Sequence, residues 1–181
     1  SGLGKVKIDK DYEEIKYFIE KKENKINFNT ELAIKNTSFK IDKINYLKNK
    51  DSIMNLQVQG YLTNSKNLNI SNLVINEKNN NIKITNLSLN NSNQIIKIDQ
   101  AKLNYIDTDN KENNYTIKKV AEYDYNMDGT SFNANSLISS LIDSDDENRN
   151  NFFEESLNLK LNLDKVYFDK INFIKGLNGS L

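Results

Sequence analysis

The 181-residue chain contains no cysteine, histidine, proline or tryptophan, and only six glycines. Without cysteine it has no disulfide, no thiolate nucleophile and no zinc–thiolate site. Without histidine it lacks the residue that most often acts as a general base or metal ligand at neutral pH. No nucleophile–base pair and no glycine-rich phosphate loop stands out either. We therefore predict a protein that is not an enzyme and that binds no cofactor or metal ion.

The charges balance, with 25 basic and 25 acidic residues, and Arg149 is the only arginine. Because nucleic-acid binders usually carry a basic excess, we predict no nucleic-acid partner.

The sequence has no run of 18 apolar residues that could span a membrane as a helix. The richness in Asn, Lys and Ile is typical of an AT-rich bacterial genome. We interpret residues 1–181 as one β-rich segment of a longer, repetitive protein, whose membrane anchor would lie elsewhere.

Short apolar–polar alternations dominate the chain, and this period of two predicts β-strands with one apolar face. Between Leu68 and Tyr105 such segments are separated by a few polar residues, which favours an antiparallel meander. Gly60 and the phase slip at Thr85–Asn86 predict bulges. Tyr115–Met127 reads as a strand, whereas residues 11–22 fit a helix and a strand almost equally well.

The last third of the chain has a more specific pattern. Residues 129–142 read GTSFNANSLISSLI, the polar loop 143–156 follows, and residues 157–163 alternate Leu with Asn or Lys. This order of turn, short helix, polar loop and amphipathic strand resembles the AsmA-like family, and within it the YhdP-type domain of Gram-negative envelope proteins. The residues that carry the resemblance are Gly129, Ser131, Phe132, Ala134, Leu137, Ile138, Leu141, Ile142, Leu159, Leu161, Leu163, Asp164 and Val166. Asn133 and Lys165 stand where the family usually has Asp and Arg.

The resemblance implies a mainly β fold. We expect a curved antiparallel sheet that forms an open groove, with one short α-helix near residues 135–142. It also implies a segment of an inter-membrane bridge protein that guides phospholipid acyl chains along an apolar groove and supports outer-membrane biogenesis and integrity. Such a protein works in the periplasm and is tethered to the inner membrane. Its expected partners are phospholipid and neighbouring groove segments of the same protein.

Eleven apolar residues on the alternating strands are our candidates for the lipid groove. They are Ile82, Ile84, Leu87, Leu89, Ile96, Ile98, Leu103, Leu157, Leu159, Leu161 and Leu163. An alternative remains open at this point: the same apolar faces could form the core of a closed β-sandwich, as in a surface or adhesin-like protein-binding module.

Two acidic patterns invite a metal-binding interpretation. Asp124-x-Asn126-x-Asp128-Gly129 copies the first half of an EF-hand loop, but Asn135 stands where the bidentate Glu is required. The acidic residues between Asp143 and Glu147 lie in the Asn-rich polar loop and have no fixed partner in the pattern. We therefore predict an ordinary turn for the first and a solvated loop for the second.

Overall fold

The computed structural model describes residues 1–63, 67–136, 138 and 156–181. This part of the chain is almost entirely β-strand, which confirms the predicted fold class. The strands are β1 (Gly2–Ile8), β2 (Asp11–Lys22), β3 (Lys25–Ile34), β4 (Phe39–Ile41), β5 (Tyr46–Lys48), β6 (Met54–Thr63), β7 (Leu68–Glu77), β8 (Asn80–Leu89), β9 (Ile95–Ile106), β10 (Glu112–Lys119), β11 (Asp124–Asn133), β12 (Asn158–Tyr167) and β13 (Phe173–Ser180). A 3₁₀ helix, Asp42–Ile44, separates β4 from β5.

Eleven strands form one sheet in the order β1-β2-β3-β6-β7-β8-β9-β10-β11-β12-β13, while β4 and β5 pair separately. All neighbours in the large sheet are antiparallel except β11 and β12, which are parallel. The sheet is curved and does not close into a barrel. The predicted meander is thus confirmed, and the ambiguous residues 11–22 are strand β2.

Two connections depart from simple hairpins. Residues 35–53, here called the insert, leave the sheet after β3, form the small β4–β5 sheet and return at β6. Residues 134–157 connect the parallel pair β11 and β12. A helical turn begins this connection, since the Ile138 N–H donates to the Ala134 carbonyl at 2.8 Å. Beyond Ile138, the rest of the predicted helix and most of the polar loop 143–156 lie outside the described residues.

One of the two predicted bulges is confirmed. The pairing register between β6 and β7 shifts at Gln59/Gly60. A Cβ atom on Gly60 would lie 2.1 Å from the Asn69 carbonyl oxygen, so only glycine fits there. Asn86 has a φ of 51°, in the left-handed region that Asn tolerates better than most residues. The register of β8 with β7 and with β9 is unchanged across Asn86, so the predicted bulge is not present there, but the local turn of the backbone still lets Ile84 and Leu87 face the same side of the sheet.

One strand prediction was wrong. Residues 115–127 are not continuous strand, because β10 ends at Lys119 and β11 begins at Asp124. The backbone turns at Val120–Tyr123, where the Val120 N–H donates to the Asp124 carbonyl at 2.9 Å. This turn contains no Gly, Pro, Asn or Asp, the residues by which a turn is usually recognised in a sequence.

The apolar side chains align in rows that cross the whole sheet, one residue per strand. The first row is Gly4, Ile15, Leu32, Leu56, Ile75, Ile82, Leu103, Tyr115, Gly129, Leu163 and Leu177. The second row is Gly2, Tyr17, Thr30, Val58, Leu73, Ile84, Ala101, Ile117, Met127, Leu161 and Gly179.

No second large sheet covers these rows in the described part of the chain, so the closed β-sandwich alternative does not describe this fold. Even so, Ile82 and Leu163 are each only 2% exposed. A single flat layer would leave both of its faces in water. The burial of Ile82 and Leu163 therefore means that the sheet curves around its apolar face, which becomes the inside of a trough.

Candidate functional site: an apolar trough with one closed end

Ten of the eleven groove candidates belong to one continuous apolar cluster on the inner face of the sheet. Five are buried: Ile82, Leu87, Ile98, Leu103 and Leu163. Five are half-buried and pack against them: Ile84, Leu89, Leu157, Leu159 and Leu161. The structure thus brings these residues together on one face.

Ile96 is the exception. It is 42% exposed and lies outside the cluster. The register between β8 and β9 shifts at Ser88/Leu89, so that Ile95, rather than Ile96, pairs with Leu89. Ile95 packs against the cluster instead. A single-residue shift of this kind changes which side chain faces inward. Two adjacent isoleucines do not show in the sequence which of them faces the inside of the sheet.

The trough differs between its two halves. In the packed half, formed by β7–β12, the side chains of the rows fill the interior. Tyr105 and Tyr115 are almost fully buried there, and burial raises the pKa of Tyr115 to about 12. The Tyr115 ring also packs edge-on against Phe132, with ring centroids 5.1 Å apart. Most of the groove candidates predicted from the sequence lie in this half and are core residues, packed against protein.

In the open half, formed by β1, β2, β3 and β6, the first of these rows borders an unfilled concavity of about 610 Å³. Gly4, Ile15, Leu32 and Leu56 lie in register across its middle. Charged residues of the neighbouring rows, including Lys5 and Glu14, also line it. Its volume lies within the range of about 300–1,000 Å³ that is typical of small-molecule sites.

None of the groove candidates chosen from the sequence lies in this concavity. The alternation in β3 and β6 is as clear as that in β8, but alternation does not reveal whether a face is filled. The sequence did contain one sign of an unfilled face, which is the presence of glycine in a strand. Gly2 and Gly4 are the β1 members of the two rows, and they contribute no side chain to them. A Cβ atom on Gly4 would lie 3.6 Å from the Ile15 and Tyr17 side chains, in ordinary van der Waals contact, so the position would accept a small side chain.

One end of the trough is closed by the insert, and buried polar contacts fasten the insert to the packed half. The Tyr46 hydroxyl donates to a Glu77 carboxylate oxygen at 2.5 Å, and the Ser52 hydroxyl donates to the other oxygen. The Asn80 amide adds a third hydrogen bond to Glu77, at 3.1 Å. Burial alone would raise the pKa of Glu77, but these donors outweigh it and lower the pKa. Burial and the neighbouring Glu77 raise the pKa of Tyr46.

A second polar cluster fastens the insert to the open half. One Glu13 carboxylate oxygen accepts hydrogen bonds from the Asn36 and Thr37 backbone N–H groups, at 2.8 and 3.0 Å. Burial by itself would raise the pKa of Glu13, but the backbone donors outweigh it, and the pKa lies below its usual value. On the other side of the same peptide segment, the fully buried Lys48 donates to the Lys35 and Thr37 carbonyls.

The insert also reaches the β9–β10 turn. The Tyr105 hydroxyl donates to the Ile44 carbonyl at 2.8 Å, and the Thr108 N–H donates to the Asn45 carbonyl at 3.0 Å. The Tyr105 and Tyr46 rings meet edge-on with centroids 5.9 Å apart. The insert is therefore held by both halves of the sheet, and it closes the end of the trough at which β3, β7, β9 and β11 finish.

The EF-hand-like segment is not a loop, nor is it the turn expected from the sequence. Asp124, Asn126 and Asp128 lie within strand β11, where alternate residues share a face. The carboxylates of Asp124 and Asp128 accept hydrogen bonds from Asn158 and Asn162 of the adjacent strand, at 2.7 and 3.2 Å. The acidic segment 143–147 lies outside the described residues.

Within the described ranges, no helix is long and apolar enough to cross a bilayer. In the same residues, no three acidic side chains gather in a way that could hold a metal ion.

The chain matches no protein-family model, and comparison with curated proteins and with solved structures found no match.

Proposed function

We propose that this chain is a lipid-holding segment of an AsmA-like, inter-membrane bridge protein, in which phospholipid acyl chains lie along the apolar trough. The observation that carries the proposal is the open half, where the apolar row of Gly4, Ile15, Leu32 and Leu56 is only half-buried and borders an unfilled concavity. An unfilled concavity with an apolar row at its centre is a default candidate for a ligand site.

The chemistry of the trough fits a hydrocarbon chain better than a polar ligand. The row at the middle of the concavity is aliphatic apart from Gly4, and the rows on either side, whose side chains alternate to the other face of the sheet, include the charged residues Lys5 and Glu14. Burial of apolar surface stabilises a bound chain by about 25 cal/mol per Å² and has no preferred direction. An acyl chain can therefore be held and still slide, while its head group stays in water.

The role we propose is passive and non-enzymatic. The segment works in the periplasm, is tethered to the inner membrane through other parts of the protein, and supports the biogenesis and integrity of the outer membrane. Neighbouring groove segments of the same protein would continue the path at the free edges of β1 and β13.

The test is the amount of phospholipid that co-purifies with the gently extracted protein, measured by mass spectrometry after denaturation. Gly4→Phe should fill the concavity and lower the bound lipid several-fold, because the added ring occupies the space above the row. The matched control is Gly179→Phe, which adds the same ring at the far edge of the sheet, where an added Cβ atom would have no neighbouring atom within 4 Å. Natively folded wild-type protein without lipid, or equal occupancy in the two variants, would count against the proposal.

A further inference from the structure

The tip of the β12–β13 hairpin differs from the other turns at the closed end of the trough. The β1–β2 and β7–β8 turns are Asp9-Lys10 and Lys78-Asn79, which are wholly polar. The turn between β12 and β13 includes Phe168 and Ile171, and Ile171 is 83% exposed. In β13, Phe173 and Ile174 follow, at 41% and 48% exposed. Four apolar side chains thus stand in water within seven residues.

Lysines surround this exposed tip. Lys165 and Lys175 lie directly opposite each other on β12 and β13, in the pair next to Val166 and Ile174. Like charges in facing positions destabilise a sheet. Here the Lys165 amine lies over two rings, 4.5 Å from the Tyr167 centroid and 4.3 Å from the Phe173 centroid.

Two further lysines extend the patch. The Lys111 amine also lies over the Tyr167 ring, 4.9 Å from its centroid. Lys170 is at the tip of the turn, with its amine 4.0 Å from an Asp109 carboxylate oxygen. The tip also carries Asp169, but its carboxylate is engaged by the turn itself, through the Ile171 and Asn172 N–H groups at 2.7 and 2.6 Å. The tip segment 165–175 carries three lysines and one aspartate and is therefore positive.

We propose that the β12–β13 tip docks on an anionic phospholipid surface. Exposed aliphatic and aromatic side chains insert at the level of the head groups, where a ring such as that of Tyr167 is favoured. Lys165, Lys170 and Lys175 extend their amines towards the lipid phosphates, an arrangement that also relieves the repulsion between the facing pair. This inference does not depend on the trough carrying lipid, because the tip lies at the β13 edge of the sheet and the open half lies at the β1 edge.

The test is flotation with vesicles of phosphatidylcholine alone and of phosphatidylcholine in which about a third is replaced by phosphatidylglycerol. The wild-type protein should float only with the anionic vesicles, and high salt should weaken the association. The double variant Lys165→Glu/Lys175→Glu should lower the vesicle affinity by about ten-fold or more. Lys83→Glu/Lys102→Glu is the matched control, since these lysines also face each other across two strands and the change in net charge is identical.

The apolar contribution is tested in the same way by Ile171→Ser. Its control is Ile106→Ser, at another isoleucine that is more than half exposed. We expect weaker vesicle binding for the first and no change for the second. Gly4→Phe should leave flotation unchanged even if it abolishes lipid co-purification, which separates the two proposals.

Absence of wild-type flotation, or equal loss in the test and control double variants, would overturn the proposal. So would a concentration-dependent dimer, measured by light scattering, that Ile171→Ser abolishes, because the tip would then be an interface between copies of the chain.

Discussion

The packed half and the open half of the sheet share the same rows of apolar residues, yet only the packed half has a filled interior. In the first row, Ile75, Ile82 and Leu103 are buried, whereas Ile15 and Leu32 are only half-buried. The packed half adds large rings from Tyr105, Tyr115 and Tyr125, all of them buried. The open half ends instead in Gly4 and Gly2. The comparison shows that side-chain volume along a row, rather than its polarity, decides where a curved sheet becomes a core and where it remains a groove.

The largest expected effect comes from placing a carboxylate in each half. Leu163→Asp buries an unpaired charge in the packed half and should cost about 4 kcal/mol or more, enough to unfold the chain. Leu32→Asp leaves the charge within reach of water in the open half, so the fold should survive while bound lipid is lost. Thermal unfolding followed by circular dichroism, with lipid measured on the same samples, distinguishes the two. If both variants unfold, the open half is also a core and the comparison fails.

A medium effect is expected at the closed end, where the insert meets the packed half. Tyr46→Phe keeps the ring but removes the hydroxyl that Glu77 accepts, leaving a buried carboxylate with one donor fewer. The free energy of unfolding should fall by about 1–3 kcal/mol in urea titrations. Tyr12→Phe removes the hydroxyl of an exposed tyrosine and should change the stability little. Equal effects at the two positions would mean that the Glu77 cluster does not fasten the insert.

The smallest effect is expected where the insert meets the open half, and it depends on pH. Because the pKa of Glu13 lies below its usual value of about 4.5, its contribution to stability is present above that pH and is lost as the pH falls through the lower, folded-state pKa. Glu13→Gln should therefore cost about 1 kcal/mol near pH 7, and the cost should shrink as the pH falls through the lowered pKa of Glu13. Glu14→Gln, at the exposed neighbour, is the control. A cost for Glu13→Gln that is independent of pH would show that the carboxylate charge is not what binds the insert.

The sequence predicted the strands and their apolar faces well, because a period of two is imposed by the geometry of a strand itself. Gly60 also revealed its bulge, and the slip at Thr85–Asn86 revealed a local turn of the backbone without a register shift. The insert could not be recognised in this way. Phe39, Ile41 and Tyr46 alternate as the sheet strands do, and only tertiary contacts such as Tyr46 with Glu77 place them in a separate small sheet.

The sequence predicted an apolar inner face, but the residues chosen from it do not line the concavity. Leu159, Leu161 and Leu163 show the cleanest alternation, and for that reason they were chosen, yet clean alternation also occurs in a filled core. The concavity arises from what is missing beside Ile15 and Leu32, and a missing side chain gives only a weak pattern. The choice of Ile96 over Ile95 failed for a related reason, since a register shift between two adjacent isoleucines leaves no mark in the sequence.

The parallel pair β11–β12 has a consequence for how such sheets could follow one another. In a purely alternating sheet of eleven strands, the first and last strands would run in the same direction. The single parallel pairing reverses the last two strands, so that β1 and β13 run in opposite directions. A second sheet of this kind, set beside the first in the same orientation, would thus meet it edge to edge as an antiparallel neighbour. The hydrogen bonds between the two sheets would have the antiparallel pattern found between all neighbouring strands except β11 and β12. The trough would then continue from one sheet into the next in the same orientation.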